Sequence, residues 1–159
     1  MKDDLSPSAR KVQAALNALG MQCSVVELSD STRTAKDAAQ AVSCEVGQIV
    51  KSIVMMGRTT HRPVMVVTSG SNRVNEGKIG EILQEPIEKA DAEFVRFHTG
   101  YAIGGVPPVG LSDEVVTFID EDLLKYSTVW AAAGTPQAVF EFNPQDLPHM
   151  TGGKVISIK

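Results

Sequence analysis

The residue with the clearest chemical potential is a lysine inside an apolar stretch. Lys51 stands in QIVKSIVMM (48–56), where most neighbours are Ile, Val and Met. A strand of this composition is expected to be buried, and burying an ammonium group is costly unless it has a partner or a cavity. Two interpretations stay open. Lys51 lies at the start of the strand and extends to solvent, or it is a cation at the floor of a pocket that holds an anionic or carbonyl-bearing ligand.

The segment GYAIGGVPPVG (100–110) has the composition of a pocket wall. It is more apolar than an ordinary surface loop, yet it holds four Gly and two Pro, which a core strand does not tolerate. Gly104 and Gly105 let the backbone approach a ligand closely, and Pro107-Pro108 limits conformational freedom. The segment therefore predicts a rigid apolar pocket rim.

A second glycine corner occurs in WAAAGTP (130–136), where Gly134 interrupts a strand-rich region. Glycine inside a strand pattern marks a bulge or the close approach of another backbone or ligand, and a tight turn before AVFEF is the open alternative. With Lys51, the two corners predict a pocket built mainly from backbone. The N–H groups of such a pocket bind small groups and stabilise an oxyanion.

Several other chemistries lack their residues. His61, His98 and His149 form no metal-binding motif and have no carboxylate companion in the sequence, so no metal site is predicted. Cys23 and Cys44 lack the spacing of a zinc site and are expected to be reduced packing residues. The chain has no nucleophile elbow, P-loop or dinucleotide fingerprint, and no cofactor is predicted.

The elements that must position these residues follow from periodicity. A helix is predicted from Ser6-Pro7 to Gly20, a strand at 23–28, a second helix from a capping box at 34–37, and a hairpin from 48–57 and 62–70. A third helix at 74–84 would place Val74, Ile79, Ile82 and Leu83 on one side. Later strand-like segments are 114–120, 127–134, 138–143 and 154–159, with short helical or turn segments at 121–126 and 144–150. This order favours an α+β fold with a mixed sheet in one domain, residues 1–159.

Charge and hydropathy limit the partners. The net charge of -4 makes long nucleic-acid tracts poor ligands, because that affinity comes from neutralising phosphates, whereas one short end needs only a few local cations. The apolar runs are too short for a membrane span. The N-terminal MKDDLSPSARK has no signal-peptide character, so a cytoplasmic location is expected.

Three segments in order, TAKDAAQAV…QIVKSIVMM (34–56), TGYAIGGVPPVG (99–110) and AAAGTPQAVFEF (131–142), resemble the YbaK/prolyl-tRNA-synthetase-associated domain family. The resemblance implies a single editing domain whose mixed, barrel-like sheet is flanked by helices. It also implies hydrolysis, without a cofactor, of the ester that joins a wrong amino acid to tRNA, often proline tRNA. Such a second sieve is needed where a synthetase pocket cannot reject a smaller or isosteric amino acid by binding alone. The implied partners are the tRNA acceptor end and prolyl-tRNA synthetase.

The resemblance also implies roles for residues of the three segments. Lys51 would anchor the phosphate or ribose of the terminal adenosine and position the ester, and Gly104 and Gly134 would complete the catalytic set. A water oriented by the site, helped by a substrate hydroxyl, would be the nucleophile. The aminoacyl pocket would be formed by Gly105, Val106, Pro107, Ala132, Ala133 and Thr135.

The chain departs from the cysteinyl-tRNA deacylases of the family. Those proteins tend to carry Ser where this chain has Ala132, and Lys-Arg-Gly where it has residues 135–137, so alanine, serine, threonine or another small residue competes with cysteine as the substrate. Two alternatives stay open: a non-catalytic binding module for a small ligand or nucleic-acid end, and a synthetase-associated interaction protein. A basic rim around Lys51 that includes Arg73, Lys78 and Arg96 would favour the deacylase. The sequence does not determine the oligomeric state.

Overall fold

The computed structural model describes residues 5–28 and 34–159 of the chain. Within these ranges five α-helices surround one sheet of eight strands, which confirms the α+β fold with a mixed sheet. The helices are α1 (Pro7–Ala18), α2 (Ala35–Val42), α3 (Glu76–Leu83), α4 (Ala92–Thr99) and α5 (Leu147–Thr151). The strands are β1 (Val25–Glu27), β2 (Ile49–Gly57), β3 (Pro63–Ser69), β4 (Ile87–Lys89), β5 (Val116–Asp120), β6 (Val129–Ala132), β7 (Ala138–Phe142) and β8 (Lys154–Ile156).

The strands follow an open path in the order β1-β7-β6-β2-β3-β5-β8, and β4 pairs with β2 beside this path. The predicted hairpin is present: β2 and β3 are antiparallel from Val50↔Ser69 to Met56↔Pro63. The β2–β6, β3–β5 and β5–β8 pairs are parallel. Strand β2 therefore has three neighbours and is the centre of the architecture.

Local signals account for the helix boundaries. The Ser6 side chain accepts a hydrogen bond from the Ala9 N–H at the start of α1, and the Thr34 side chain accepts one from the Asp37 N–H at the start of α2.

The predicted apolar side of α3 is partly wrong, because Ile82 is 45% exposed while Ile79 is fully buried. A helix of eight residues has room for only a narrow buried stripe.

Two elements next to the glycine loop were not predicted. Strand β4 has only three residues, too few for a periodic signal. Helix α4 begins at Asp91, whose side chain accepts from the Phe94 N–H, and it ends at Gly100 in the left-handed region. It leads directly into the 100–110 loop, so it fixes where that loop starts.

Each helix in the described part of the chain falls short of the length and apolarity that crossing a bilayer requires. The cytoplasmic location stays a prediction, and residues 1–4 of the N-terminal stretch on which it was based lie outside the described residues.

A gap interrupts the pairing along one edge of β2. Strand β6 pairs with β2 only at Ile49 and Val50, and β4 pairs with it only from Met55 to Gly57. Residues 51–54 thus have β3 on one side and, within the described chain, no strand on the other. The sheet is open at this point, and Lys51 lies in the opening.

The gap begins where two glycines cross. If the parallel β2–β6 ladder continued, the Gly134 N–H would bond to the Ser52 carbonyl. Instead Gly134, at φ +97°, donates to the Gly105 carbonyl at 2.8 Å. A Cβ at Gly105 would lie 2.7 Å from the Gly134 carbonyl oxygen, and one at Gly134 would lie 2.8 Å from the Ser8 carbonyl oxygen. Only glycine fits on both sides of this crossing, which turns the chain after β6 away from β2.

We expect Gly105→Ala to destabilise the protein by about 1–3 kcal/mol, because the added methyl group forces the two backbones apart. Thermal or urea unfolding measures the loss. Gly77→Ala on α3 is the matched control: its Cβ would meet nothing closer than 3.5 Å, and alanine is the better helix former, so its stability should be equal or higher. Equal unfolding midpoints for both variants would contradict the tight crossing.

The turn between β2 and β3 is held by a buried carboxylate. Glu85 accepts hydrogen bonds from the backbone N–H groups of Thr59 and Thr60, from the Thr60 hydroxyl and from Arg62. These donors, the Thr60 N–H foremost, lower the pKa of Glu85 below its usual value despite the opposing effect of burial. The carboxylate therefore fixes the far end of the hairpin that carries Lys51.

Because the folded state lowers the pKa of Glu85, its ionised form stabilises the fold at neutral pH, and this contribution is lost as the pH falls through the folded-state pKa. We expect Glu85→Gln to unfold at a lower temperature than the parent at pH 7, with the difference shrinking in acid. Unfolding curves from pH 7 to 3 test this, with Glu81→Gln on the exposed side of α3 as the control. A difference that is constant with pH would argue against a stabilising carboxylate.

Candidate functional site

A cavity of about 570 Å³ lies at the gap in the sheet. Its walls come from β2, the end of β6, the start of β7, helices α2 and α4, the turn at 72–74 with Glu76, the end of β4 with Ala90, and the 100–110 loop. All of these segments except α4 and the end of β4 with Ala90 belong to regions that the sequence singled out. The cavity therefore forms where the predicted hairpin meets both glycine corners.

Lys51 is exposed on β2 and lines this cavity. Its position has a feature of each interpretation: the side chain is exposed to solvent, and it lines the cavity. The flanking Ile49 and Val50 are buried where β6 covers them. The loss of β6 pairing after Val50 is what leaves room for the Lys51 side chain at the edge.

Four of the predicted site residues share the cavity: Lys51, Gly104, Val106 and Ala132. Gly105 and Gly134 form the crossing behind the wall and are not among its lining residues. The Gly134 N–H already bonds to the Gly105 carbonyl, so its role toward an ester carbonyl stays a prediction.

The other three predicted residues support the wall rather than line the cavity. Pro107 and Ala133 are buried, and the Thr135 hydroxyl accepts from the backbone N–H groups of Gln137 and Ala138. These bonds close the turn from β6 to β7. Direct contact of these three residues with a substrate stays a prediction.

The cavity reaches both faces of the sheet around the free edge of β2. Side chains alternate along a strand, so Val50, Ser52 and Val54 lie on one face and Ile49, Lys51 and Ile53 on the other. On the first, the Ser52 face, the lining is apolar and includes Val95, Val106 and Ala131. On the second, the Lys51 face, it includes Trp130, Ala132, residues of α2 and the polar turn at 72–74.

The polar turn is tied down by a buried network that the sequence did not reveal. The Asn72 amide donates to Asp120 and to Asp122, at 2.8 Å each, and the fully buried Asp120 also accepts from the Ser69 N–H and the Thr68 hydroxyl. Hydrogen bonds from Lys125, Asn72 and Lys159 hold the pKa of Asp122 far below its usual value. The next residue, Arg73, is thereby held at the mouth of the cavity.

Among the described residues, three cations line the cavity: Lys51, Arg73 and Lys89. The expected rim is therefore correct for Arg73 but not for its other members. Lys78 donates to the carbonyl oxygen of Lys159, and Arg96 lies on α4 outside the lining. Lys89 was missed because its strand, β4, gave no signal of its own.

The histidines and cysteines stay outside the lining of the cavity. His98 does have a carboxylate companion that its sequence neighbourhood did not show: its Nδ1 lies 2.7 Å from Asp113 Oδ2, across the loop from α4. Cys23 and Cys44 are free and half-buried, and burial raises the pKa of both thiols. Within the described ranges, no group of three or more His, Cys, Asp or Glu is arranged to hold a metal ion.

Comparison with known proteins gives consistent matches. The family model described as "Aminoacyl-tRNA editing domain" matches residues 29–149. The uncharacterised protein YwhH of Bacillus subtilis is 24% identical over 93% of this chain and 94% of its own length. EbsC of Enterococcus faecalis, named as a candidate Cys-tRNA(Pro)/Cys-tRNA(Cys) deacylase, is 26% identical over 82% of this chain and 79% of its own.

Two further matches are with a proline–tRNA ligase and with a solved structure. The proline–tRNA ligase of Bacillus licheniformis is 36% identical over 64% of this chain, which corresponds to 18% of the ligase. A solved structure described as a candidate trans-editing enzyme for prolyl tRNA synthetase is 50% identical, with a TM-score of 0.93 over 98% of this chain and 99% of that one. The chain belongs to the aminoacyl-tRNA editing domain family.

Proposed function

We propose that the protein is a trans-editing deacylase that hydrolyses the ester of a small, mischarged amino acid on tRNA, with proline tRNA as the carrier. The observation that carries the proposal is the cavity at the free edge of β2, where Lys51, Gly104 and Ala132 meet. Membership of the editing-domain family supports the reaction class, and the likeness to a candidate trans-editing enzyme for prolyl tRNA synthetase supports the carrier.

The two faces of the cavity suit the two ends of this substrate. The Lys51 face offers an ammonium group, the Arg73 guanidinium and the flat Trp130 side chain, which fit a terminal adenosine and its phosphate. The Ser52 face offers a narrow apolar recess between Val50, Val54 and Val106, which fits a small side chain. The ester would then cross the free edge of β2, within reach of Lys51.

Hydrolysis requires that the ester carbonyl group be polarised and that a water molecule be held close to its carbon. Water attacks the ester carbonyl carbon and gives up a proton, the bond from that carbon to the ribose oxygen breaks, and that oxygen takes up a proton to become a hydroxyl. The Gly104 N–H has no acceptor among the described residues and lies at the cavity, so it suits the developing oxyanion. Lys51 holds the substrate and offsets its negative charge, and no covalent intermediate is required.

The choice of amino acid is limited by Ala132. At the position where the cysteinyl-tRNA deacylases tend to carry Ser, this chain has Ala132, so the hydroxyl of that serine is missing from the cavity lining. Alanine, serine and threonine therefore stand beside cysteine as substrates to be compared directly. A prolyl-tRNA synthetase that releases the mischarged tRNA is the partner this activity requires.

A non-catalytic binding module is the second candidate. It is favoured by one observation: none of the three histidines lines the cavity, and among the described residues the one lining carboxylate is Glu76, in the first turn of α3. A module of this kind would bind the same aminoacylated end without releasing the amino acid. Turnover separates the two candidates.

Incubation of the protein with tRNA charged with Ala, Ser, Thr, Cys or Pro should release at least one of the first four faster than buffer does. We expect Lys51→Ala to lower kcat/KM for that substrate by about a hundredfold, because it removes the cation that positions the ester. Release of labelled amino acid measures the rates.

Lys154→Ala, an exposed lysine on β8 away from the cavity, is the control and should keep the parent activity. If none of the charged tRNAs is hydrolysed faster than in buffer, the deacylase proposal fails and the binding module stands. If Lys51→Ala is as active as the parent, the activity survives but the role of Lys51 does not.

We expect Arg73→Ala to raise KM about fivefold with a smaller change in kcat, because an exposed guanidinium at the mouth binds phosphate without touching the reacting atoms. The dependence of kcat/KM on salt concentration should weaken in the same variant. Arg10→Ala on α1 serves as the control. A loss confined to kcat would place Arg73 in the chemistry instead.

A further inference from the structure

Ser52 lines the cavity with a polar group that has no partner among the described residues. Its hydroxyl is buried and has no hydrogen-bond partner among the described residues. Its backbone lies in the middle of the gap, between the last β6 pair at Val50 and the first β4 pair at Met55. Buried polar groups are normally satisfied, so a cavity-lining residue with an unpartnered hydroxyl and a backbone outside the β4 and β6 pairing calls for an explanation.

The direction of the Ser52 backbone follows from the hydrogen bonds at both ends of β2. The Ile49 carbonyl accepts from the Gly70 N–H, and the Gly57 N–H donates to the Arg62 carbonyl, so odd-numbered residues point their backbone groups toward β3. The Arg58 N–H donates to the Pro86 carbonyl on the β4 side. Alternation along the strand then directs the N–H and C=O of Ser52 into the gap.

The chain after β6, which would hydrogen-bond to the Ser52 backbone if the ladder continued, turns away from β2. Continuing the parallel ladder would bring the Gly134 N–H to the Ser52 carbonyl, but that N–H is bonded to the Gly105 carbonyl. The glycine crossing thus leaves the position opposite Ser52, on the side of β2 away from β3, without a partner strand; we call this position the vacant rung. On the other side, β3 holds Ser52 rigidly through the Ser52↔Val67 pair. A donor and an acceptor are fixed side by side at the cavity.

We propose that the aminoacyl group of the substrate fills this rung as a single residue of an antiparallel strand. Its α-ammonium group donates to the Ser52 carbonyl, and its ester carbonyl accepts from the Ser52 N–H. The inference rests on the proposed function and adds a positioning residue that acts through its backbone. Ser52 and Gly104 then supply two N–H groups to one carbonyl oxygen, as an oxyanion site requires.

The rung also decides where the substrate side chain goes. Directly opposed residues of an antiparallel pair place their side chains on the same face of the sheet. An L-amino acid bound to Ser52 therefore sends its side chain to the Ser52 face, into the recess of Val50, Val54 and Val106. The adenosine on the other side of the ester stays on the Lys51 face.

The test removes the N–H of Ser52 and keeps every side chain. Ser52 is replaced by its α-hydroxy acid analogue, which converts the amide N–H to an ester oxygen and keeps the side chain. The same replacement at Ser127, which is exposed in the turn before β6, is the matched control, and Ser52→Ala removes only the hydroxyl. The measurements are kcat/KM for the best aminoacyl-tRNA and the affinity for 3′-(L-alanylamino)-3′-deoxyadenosine, whose amide cannot be hydrolysed as the ester is.

We expect the ester at position 52 to lower kcat/KM at least about tenfold, by more than Ser52→Ala does, and to weaken binding of the adenosine analogue, while the ester at 127 stays within about threefold of the parent. Parent activity in the position-52 ester would overturn the rung and leave the deacylase proposal intact. An equal loss in Ser52→Ala would overturn it too, since the hydroxyl would then be the contact.

If the parent hydrolyses no aminoacyl-tRNA, the deacylase proposal fails. The rung is then supported only if the position-52 ester weakens binding of the analogue, and is overturned otherwise.

Discussion

The 2.8 Å hydrogen bond from the Gly134 N–H to the Gly105 carbonyl is the contact on which the site depends. It brings two loops that are 29 residues apart in sequence into backbone contact. A Cβ at Gly105 would clash with the Gly134 carbonyl, and a Cβ at Gly134 would clash with the Ser8 carbonyl. By redirecting the chain after β6, it ends the β2–β6 ladder after two residue pairs. The cavity, the exposure of Lys51 and the unpaired Ser52 backbone all follow from that early end.

A sheet with a missing rung is a hazard unless something limits access to it, because unpaired strand edges bind other strands. Here the unpaired stretch is only four residues long and is flanked by β6 and β4, and the 100–110 loop forms part of the wall. An extended peptide would have to displace one of these neighbours, whereas a single aminoacyl unit would not. The same short gap that makes the edge safe also sets the size of the ligand it accepts.

The acidic composition and the proposed RNA substrate are compatible because the cations are placed locally. The chain carries a net charge of -4, yet Lys51, Arg73 and Lys89 share the cavity. Acidic residues contribute to this arrangement, since Asp120 and Asp122 hold the Asn72 amide that precedes Arg73. An acceptor end needs only such a small positive site, while the remaining surface discourages binding to longer nucleic acid.

The sequence predicted the parts of this site whose causes are local, and it missed those that depend on distant pairing. Lys51 in an apolar strand, the hairpin and both glycine corners carry their signals within about ten residues, and each is where the pattern indicated. The gap itself has no local signal, because it arises from where β4 and β6 stop along β2. Ser52 illustrates the limit: a serine in a strand is unremarkable in sequence, and its importance appears only when the neighbour that should pair with it is bonded elsewhere. A site made from backbone is recognisable in sequence by the glycines that permit it, while the groups that act in it are set by the register of the sheet.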